Sequence, residues 1–352
     1  MRVSKNHSAR FMGKTSRVVL ASLALFGMAA VAACSSTPSS QGSSSAAPTT
    51  AKKDPVEYTF VYASPGSTEA IVREAMKNLD EKYGTKGEYV TVADSEVAVS
   101  GLASNKFQFT TGVAATVMQA QQNQNAPVTF IGDIALIDWM LVAKKEITSC
   151  ADLKGVRMGL HSPGGVSTAI YKAWFEENCK PADAPKILYI AGSPNRFQGL
   201  MADQLDATML QLEDTLDLPS DKFQISANFA KDLSWVKSST LAVTDEFRTK
   251  HPEIVQHFLE EILLVNRKVN EDSTVLAGLL TKWRAQQVGD RAEILAKANV
   301  DAGIYSKDGA MAMEDIQKSI ELYVAAGSLN PGLKAADIAD RQYLDAALAK
   351  LK

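Results

Sequence analysis

Apolar and polar positions along residues 58–247 predict strands that alternate with helices. The segment YTFVYA (58–63) is typical of a buried strand, and the apolar residues that follow it keep helical spacing as far as Gly84. The same pattern predicts further strands at 88–93, 106–111, 127–136, 155–160, 186–191 and 207–212, with helices at 98–104, 113–124, 166–178 and 195–203. Strands that alternate with helices through short loops predict parallel α/β layers.

The C-terminal third of the chain has a different pattern. After SSTLAVTDEF (238–247), the apolar residues predict long amphipathic helices near 252–271, 273–286, 309–326 and 335–350. No heptad continues far enough for a coiled coil, and no fixed-period repeat is evident. About 298 residues follow Asp54, which is ample for a large core and for two domains or one elaborate domain.

The first 33 residues predict a secretory signal peptide. They contain five basic and no acidic residues, and an apolar run of about 16 residues from Val18 to Ala33 is too short to span a membrane comfortably. The run ends in Val31-Ala32-Ala33-Cys34, which resembles the bacterial lipoprotein box, so we expect lipid attachment at Cys34. The alternative is a buried or disulfide-bonded Cys34.

Residues 34–54 predict a tether. The segment SSTPSSQGSSSAAPTTAKKD has almost no apolar content, so it cannot bury enough surface to offset chain entropy, and a random coil of this length reaches roughly 25 Å. We therefore expect an extracytoplasmic protein that a lipid holds at the outer face of the bacterial cytoplasmic membrane.

Charge and cysteine content exclude some functions. Without the five basic residues of the leader, 32 Lys and Arg stand against 40 Asp and Glu, a net charge of −8, and no basic cluster predicts nucleic-acid binding. In an exported chain, Cys150 and Cys179 predict a disulfide that closes a loop of about 30 residues and contributes roughly 3 to 4 kcal/mol. The alternative is two free, buried thiols.

Residues 159–174 read GLHSPGGVSTAIYKAW, a polar, glycine-rich turn between a predicted strand and a predicted helix. Ser162 and Pro163 suit the N-cap and first helical positions, although a start one or two residues later fits equally well. For either helix start, the NH groups near the helix N-terminus are unpaired and favour an anion. These NH groups belong to Gly164, Gly165, Val166 and Ser167.

This turn is compatible with a catalytic serine, a phosphate cradle or a ligand held by backbone NH groups. The sequence S-P-G-G-V-S lacks the second flanking glycine of the nucleophile elbow, so a serine nucleophile is disfavoured. Phosphate-loop chemistry belongs with cytoplasmic nucleotides, which an exported chain does not meet. Binding of a small solute is the remaining interpretation.

Several motifs together resemble a family. The stretches SGLASNKFQFTTG, NAPVTFIGD, CADLKGVRMGLHSPGG, ADQLDATMLQLED and TDEFRTKHPEIVQHFLEEIL are similar, in this order, to the nitrate, sulfonate and taurine type of solute-binding lipoprotein of ABC importers, which includes thiamine-precursor binders. The resemblance covers roughly residues 56–330. Departures at Asn105, Lys106, Gln108 and Asp203-Gln204 lie at turns, where we expect changed local capping and an unchanged fold.

The resemblance implies an α/β protein with the type II periplasmic-binding-protein fold, in which two α/β lobes enclose a ligand cleft. Lobe 1 would comprise residues 55–143 and 240–352, and lobe 2 residues 144–239. Such lobes close on a ligand by a hinge motion. The closed form would deliver a small organic anion, a sulfonate or an aromatic or aliphatic carboxylate, to an ABC permease and its ATPase.

Family position and residue type predict which residues bind the ligand: Ser64, Gly66, Ser67, Gly112, Thr116, Ser162, Gly164, Gly165, Val166, Ser167, Arg196 and Glu213. Open α/β sheets bind ligands at the carboxyl ends of their strands, where these loops fall. For each hydroxyl the alternative is helix capping. Arg196 would clamp an acid group or be a surface arginine, and Glu213 would meet a ligand amine or pair with Lys or Arg.

Aromatic and histidine residues complete the set of candidates. Tyr62, Trp139, Tyr171 and Trp235 could stack on a ligand, although Tyr171 and Trp139 are equally compatible with a core position. His161 lacks histidine neighbours at metal-ligand spacing, since His251 and His257 are six residues apart, so no metal and no cofactor are predicted.

Binding without chemistry is the predicted function, and a monomer is expected. Two alternatives remain open at this point. One is an exported enzyme, either a hydrolase or a relative of the thiamine-pyrimidine synthases, and the other is a ligand-sensing module.

Overall fold

The computed structural model describes residues 54–63, 65–163 and 165–352. The predictions made for the signal peptide, Cys34 and the tether, and those for Ser64 and Gly164, lie outside these residues. The described residues belong to one compact unit, Lys53–Lys352.

The described chain contains ten strands and fourteen α-helices, and the last seven helices follow one another without a strand. The strands are β1 (Glu57–Ala63), β2 (Lys86–Val92), β3 (Phe109–Thr111), β4 (Val128–Ala135), β5 (Trp139–Lys144), β6 (Arg157–Leu160), β7 (Lys186–Tyr189), β8 (Ala207–Gln211), β9 (Phe223–Asn228) and β10 (Ser239–Thr244). The helices are α1 (Thr68–Tyr83), α2 (Ser95–Ala103), α3 (Ala114–Gln124), α4 (Val166–Asn178), α5 (Ser193–Met201), α6 (Leu212–Thr215), α7 (Phe229–Asp232), α8 (Asp245–Lys250), α9 (Pro252–Glu271), α10 (Ser273–Val288), α11 (Ala292–Ala302), α12 (Met313–Ala325), α13 (Ala335–Ile338) and α14 (Gln342–Lys350).

The strands form two five-stranded sheets. The first sheet has the order β2-β1-β3-β10-β4 and the second the order β7-β6-β8-β5-β9. Each is mixed, because β10 runs antiparallel to β3 and β4, and β5 runs antiparallel to β8 and β9. The prediction of parallel α/β layers is therefore wrong for β5 and β10. Both are the strands that follow directly after the chain has passed from one sheet to the other.

The two sheets are built alike, with an offset of 98 residues along the chain. Thr59 donates its backbone NH to Gln108 Oε1 at 2.8 Å, and Arg157 donates its NH to Asp206 Oδ2 at 3.0 Å. Thr110 Oγ1 donates to the Val61 carbonyl, and Thr208 Oγ1 donates to the Gly159 carbonyl. The loops that follow β1 and β6 also correspond, since residues 64–67 read SPGS and residues 162–165 read SPGG.

Apolar faces position the helices on the first sheet. All eight residues of β4 are buried, and α1 buries Ile71, Val72, Ala75 and Leu79 before Gly84 ends it in the left-handed region at φ 67°. Helix α9 contacts α1 and α14, and α14 contacts β4. Helix α12 contacts α4, which belongs to the second sheet, so the C-terminal helices touch both halves of the molecule.

The pattern-based prediction misses β5, β9 and α11. Strand β5 has four consecutive buried residues, and it follows β4 after only three residues, so the two read as one long apolar run. Because β5 belongs to the second sheet, that half begins near Trp139 and not at residue 144 as expected. Predicted strand 106–111 is shorter, because the NH groups of Lys106 and Phe107 donate to Gly101 O at the end of α2.

The structure contains the predicted disulfide between Cys150 and Cys179, with the two Cα atoms 5.4 Å apart. It joins a 3-10 turn at Cys150–Leu153 to the end of α4. Within the described ranges, no helix has both the length and the apolar character needed to cross a lipid bilayer.

Candidate functional site

A cavity of about 190 Å³ lies between the two sheets. The end of β1 contributes Tyr62 and Ala63, and the residues that follow β1 and β3 contribute Gly66, Thr68 and Gly112. The second sheet contributes Trp139 and Gln211, which are paired neighbours on β5 and β8. The cavity therefore lies where the carboxyl ends of strands meet, which is where open α/β sheets bind ligands.

The two chain crossings between the sheets also line this cavity. The first crossing, residues 136–138, contributes Leu136 and Asp138, and the second contributes Ser238, next to Ser239 at the start of β10. A relative motion of the two halves must bend these crossings. The cavity would change shape with such a motion, as a hinge-closing site does.

Three helices of the first half begin at the cavity. Thr68 and Ser95 are the first residues of α1 and α2, and Gly112 lies two residues before α3. Asp94 caps α2 by accepting from the Val97 NH, whereas α1 and α3 have no side-chain cap. The first-turn NH groups of Glu69 and Ala114 donate to the Gly66 and Ser238 carbonyls, so it is the positive end of each helix that favours an acid group here.

Among the described residues, one larger surface depression, of about 340 Å³, contains Thr116, and the other larger ones contain none of the predicted ligand-binding residues. One of about 510 Å³ lies beside Glu57 and Lys86, where β1 and β2 begin, at the opposite edge of the first sheet. We regard the smaller cavity as the candidate site, because the strand ends, helix starts and both crossings converge on it.

Of the predicted ligand-binding residues, Gly66 and Gly112 line the cavity. Ser67 is buried beside it, and its Oγ accepts from Asn299 Nδ2 at 3.5 Å, which anchors the start of α1 to α11. Thr116 lies elsewhere, in a groove between α2 and α3.

The described residues among those predicted around the second loop do not line the cavity. Helix α4 begins at Val166 with Gly165 as its N-cap, so the predicted N-cap at Ser162 is wrong and the predicted helix 166–178 is confirmed. Ser162, Gly165, Val166 and Ser167 lie at this helix start, and Ser167 is buried. His161 Nδ1 accepts from the Gly192 NH at 3.3 Å, which joins this loop to the start of α5.

Arg196 is buried behind the cavity wall. Its Nε donates to Met209 O and its Nη1 to Ile190 O, each at 3.2 Å, and its guanidinium lies 5.7 Å from the Trp139 ring centroid. Burial lowers the pKa of Arg196, while the charge of Asp214 opposes that shift. In this conformation Arg196 supports the main chain and Trp139, and it does not reach the cavity as the predicted clamp would.

Glu213 forms an ion pair. Its Oε2 lies 3.2 Å from Arg284 Nη1, and Arg284 Nε lies 3.4 Å from Glu69 Oε2. Arg284 is buried at a kink in α10, where its backbone leaves the helical region at φ −131°. The alternative in which Glu213 pairs with an arginine is therefore what the structure contains.

Tyr62 and Trp139 are the aromatic candidates that line the cavity. Burial, and next the charge of Asp138, raise the pKa of the Tyr62 hydroxyl, which stays protonated. Tyr171 and Trp174 belong to the core of the second half, and Trp235 packs against that core.

Asp138 is the functional candidate that the sequence analysis missed. It lines the cavity directly after Ile137, which is fully buried, and Gln211 Nε2 donates to its Oδ2 at 3.4 Å. Burial is the main cause that raises its pKa to about 6, and the charges of Asp214 and Glu213 act in the same direction. The sequence contains no clear signal for this role, since Asp133 interrupts the same apolar run and pairs with Lys237.

Among the described residues, no group of His, Cys, Asp and Glu is arranged to hold a metal ion. Both described cysteines are joined in the disulfide.

Solved structures with the same fold include both transport proteins and an enzyme. The alkanesulfonate-binding protein SsuA from Xanthomonas axonopodis pv. citri, bound to MOPS, is similar with a TM-score of 0.59 at 15% identity, covering 82% of this chain and 99% of that one. The periplasmic nitrate-binding protein NrtA from Synechocystis PCC 6803 has a TM-score of 0.61 at 10% identity, covering 85% and 90%. The desulfurization enzyme DSZB has a TM-score of 0.58 at 12% identity, covering 84% and 100%.

These similarities confirm the predicted fold class, an α/β fold that matches periplasmic-binding-protein structures. At such low identity they establish the fold alone. No curated protein matches the sequence significantly. The family model described as NMT1/THI5 like matches residues 81–263, more than half of the chain. The chain therefore belongs to the NMT1/THI5-like family.

Proposed function

We propose that this protein is the solute-binding component of an ABC importer and holds a small organic acid in the cavity between its sheets. The observation that carries the proposal is the convergence on one cavity of strand ends, uncapped helix starts and both chain crossings. This arrangement suits solute capture by hinge closure. Structures with the same fold include sulfonate-binding and nitrate-binding proteins, which supports a transport role.

The cavity size favours a small ligand. At about 190 Å³ it lies below the range of roughly 300 to 1,000 Å³ that is typical of drug-sized ligands. The uncapped starts of α1 and α3 favour an acid group, as either a sulfonate or a carboxylate. On closure, the loop at residues 162–165 would approach from the second half, since it corresponds to the loop before α1.

The leader and tether support an extracytoplasmic position. We propose that residues 1–33 are a signal peptide, that Cys34 carries lipid, and that residues 34–54 hold the folded part near the membrane. The closed protein would then meet its permease and ATPase at the membrane surface. We propose that it acts as a monomer.

A thermal-shift screen tests the proposed function. Taurine, alkanesulfonates, aromatic carboxylates, nitrate and bicarbonate would each be added to the mature protein, and a ligand at 100 times its Kd should stabilise the folded state by about 2.7 kcal/mol. Mass analysis of the same samples should recover the ligand unchanged. If no organic acid shifts the transition, the proposal is wrong.

An exported enzyme is the second candidate, because DSZB has the same fold. The same samples distinguish the two functions. Conversion of any screened compound, lost in a Ser162→Ala or Ser167→Ala variant, would favour the enzyme.

A further inference from the structure

A single charged side chain, that of Asp138, lines the described part of the cavity wall. Of the described residues that line the cavity, Asp138 alone carries a formal charge at neutral pH, and the other polar groups are hydroxyls, an amide and backbone. A site for a plain anion would be expected to present Lys or Arg. The cavity instead presents a carboxylate.

The carboxylate of Asp138 has no cationic partner in the described chain. Its one side-chain hydrogen bond comes from the neutral amide of Gln211, at the long distance of 3.4 Å. The nearby charges of Asp214 and Glu213 are also negative. A carboxylate held in this way gains from a positive or strongly donating group that enters the cavity.

The arginines near the cavity are already engaged by other groups. Arg284 lies between Glu69 and Glu213, and Arg196 donates to two main-chain carbonyls behind Trp139. Neither forms an ion pair with Asp138. A counter-charge for Asp138 must therefore come from the ligand or from solvent.

The neighbouring aromatic rings suit the same ligand group. Tyr62 and Trp139 line the cavity together with Asp138. Aromatic faces attract ammonium groups, and the attraction grows when the group is desolvated. The starts of α1 and α3, which have no side-chain cap, lie at the same cavity and favour an acid group.

From this geometry we infer that the ligand is a small amino acid-type zwitterion, with an amino group at Asp138 and a sulfonate or carboxylate at the starts of α1 and α3. This inference rests on the proposed function and narrows its ligand class. Nitrate, simple alkanesulfonates and simple carboxylates have no group for Asp138, and they would place a like charge near it.

Matched pairs of probes test the inference. Isothermal titration would compare taurine with ethanesulfonate and β-alanine with propionate, since each pair differs by one amino group. We expect the member with the amino group to bind at least tenfold more tightly. In Asp138→Asn, which keeps the size of the side chain, that preference should disappear, while the thermal transition without ligand shows whether the variant is folded.

The outcomes separate the inference from the proposed function. If ethanesulfonate, propionate or nitrate binds as tightly as its amino counterpart, the inference is overturned and the proposed function stands. If amine-free organic acids bind and no amino acid-type probe does, the result is the same. If no organic acid of either type binds, the proposed function is overturned, and the inference falls with it.

A pH series provides a readout that does not need a variant. The ammonium and sulfonate groups of taurine keep their charges between pH 5 and 7, whereas Asp138, with a pKa of about 6, becomes protonated as the pH falls. We expect taurine affinity to be about tenfold lower at pH 5 than at pH 7. The groups that act on Asp138 are Asp214, Glu213 and the hydroxyls of Tyr62 and Tyr305, with Arg284 nearby. A flat profile would contradict the inference.

Discussion

Gly112 lines the cavity and adopts the left-handed backbone region at φ 77°. A Cβ atom at this position would lie 2.9 Å from Tyr62 Cε2. The change Gly112→Ala should cost about 1 to 2 kcal/mol of stability for the backbone conformation. It should also displace the Tyr62 ring that lines the cavity, and so weaken ligand binding at least tenfold. Denaturant unfolding and isothermal titration measure the two effects separately.

Gly327→Ala is the matched control for this change. Gly327 has φ 74°, and a Cβ there meets nothing within 4 Å. We expect a similar loss of stability with unchanged ligand affinity. If both variants bind equally well, Gly112 does not shape the binding site.

The sequence allowed the conformation of several turn residues to be predicted, but it did not show which residues line the cavity. The departures at Asn105 and Asp203 were expected to change capping, and both residues adopt the left-handed region, at φ 54° and 57°. Gln108 takes the acceptor role that Asp206 has in the second half, so that departure leaves the sheet unchanged. Asp138 and Arg284 were missed, because their roles depend on a chain crossing and a helix kink that no local pattern reveals.

Elements with an exposed and a buried face were predicted well, and elements buried on all sides were not. Helix α9 lies at residues 252–271 as predicted, because its apolar residues recur at helical spacing. Strands β4 and β5 form one apolar run, in which nothing marks the point where the chain leaves the first sheet. The predicted boundary between the halves was therefore late by about one strand.

The disulfide joins the 3-10 turn at Cys150–Leu153 to the end of α4, and its removal should lower the stability of the fold. Changing Cys150 and Cys179 together to Ser opens a loop with a sequence separation of 29 residues, and the expected loss is about 3 to 4 kcal/mol of unfolding free energy. Neither residue lines the cavity, so ligand affinity should not change. Urea unfolding of the variant, and of the wild type with and without reductant, measures the loss.

Reduced wild-type protein provides the internal comparison for this prediction. It should match the double variant in stability, because both lack the same crosslink. A double variant as stable as the oxidised wild type would show that the crosslink does not stabilise the fold.

Contacts between the C-terminal helices and the second half of the molecule hold the two halves together. Arg284 of α10 pairs with Glu213 of α6, and Arg291 pairs with Asp217 just beyond α6. Asn228 at the end of β9 donates to the Ala302 carbonyl at the end of α11. Since α6 contacts β5 and β8 of the second sheet, these contacts connect the halves beside the cavity.

These contacts should favour the arrangement of the two halves in this structure over a more open one. The double change Glu213→Gln and Asp217→Asn removes two acid partners but keeps the side-chain shapes. The exposed Arg291–Asp217 pair contributes up to about 1 kcal/mol and the pair of the buried Arg284 about 1 kcal/mol or more, so the population of this arrangement should fall roughly five- to thirtyfold. Small-angle scattering of the ligand-free variant should show a larger radius of gyration, and ligand affinity should fall by a similar factor.

Asp301→Asn is the appropriate control, because the Lys297–Asp301 pair lies within α11 and does not connect the halves. This change alters the net charge by one and removes no contact between the two halves. Neither the radius of gyration nor the ligand affinity should therefore change. If the double variant also leaves both unchanged, the ion pairs are incidental to closure. The apolar contact between α12 and α4 would then be the connection to examine, because it joins the C-terminal helices to the second half independently of charge.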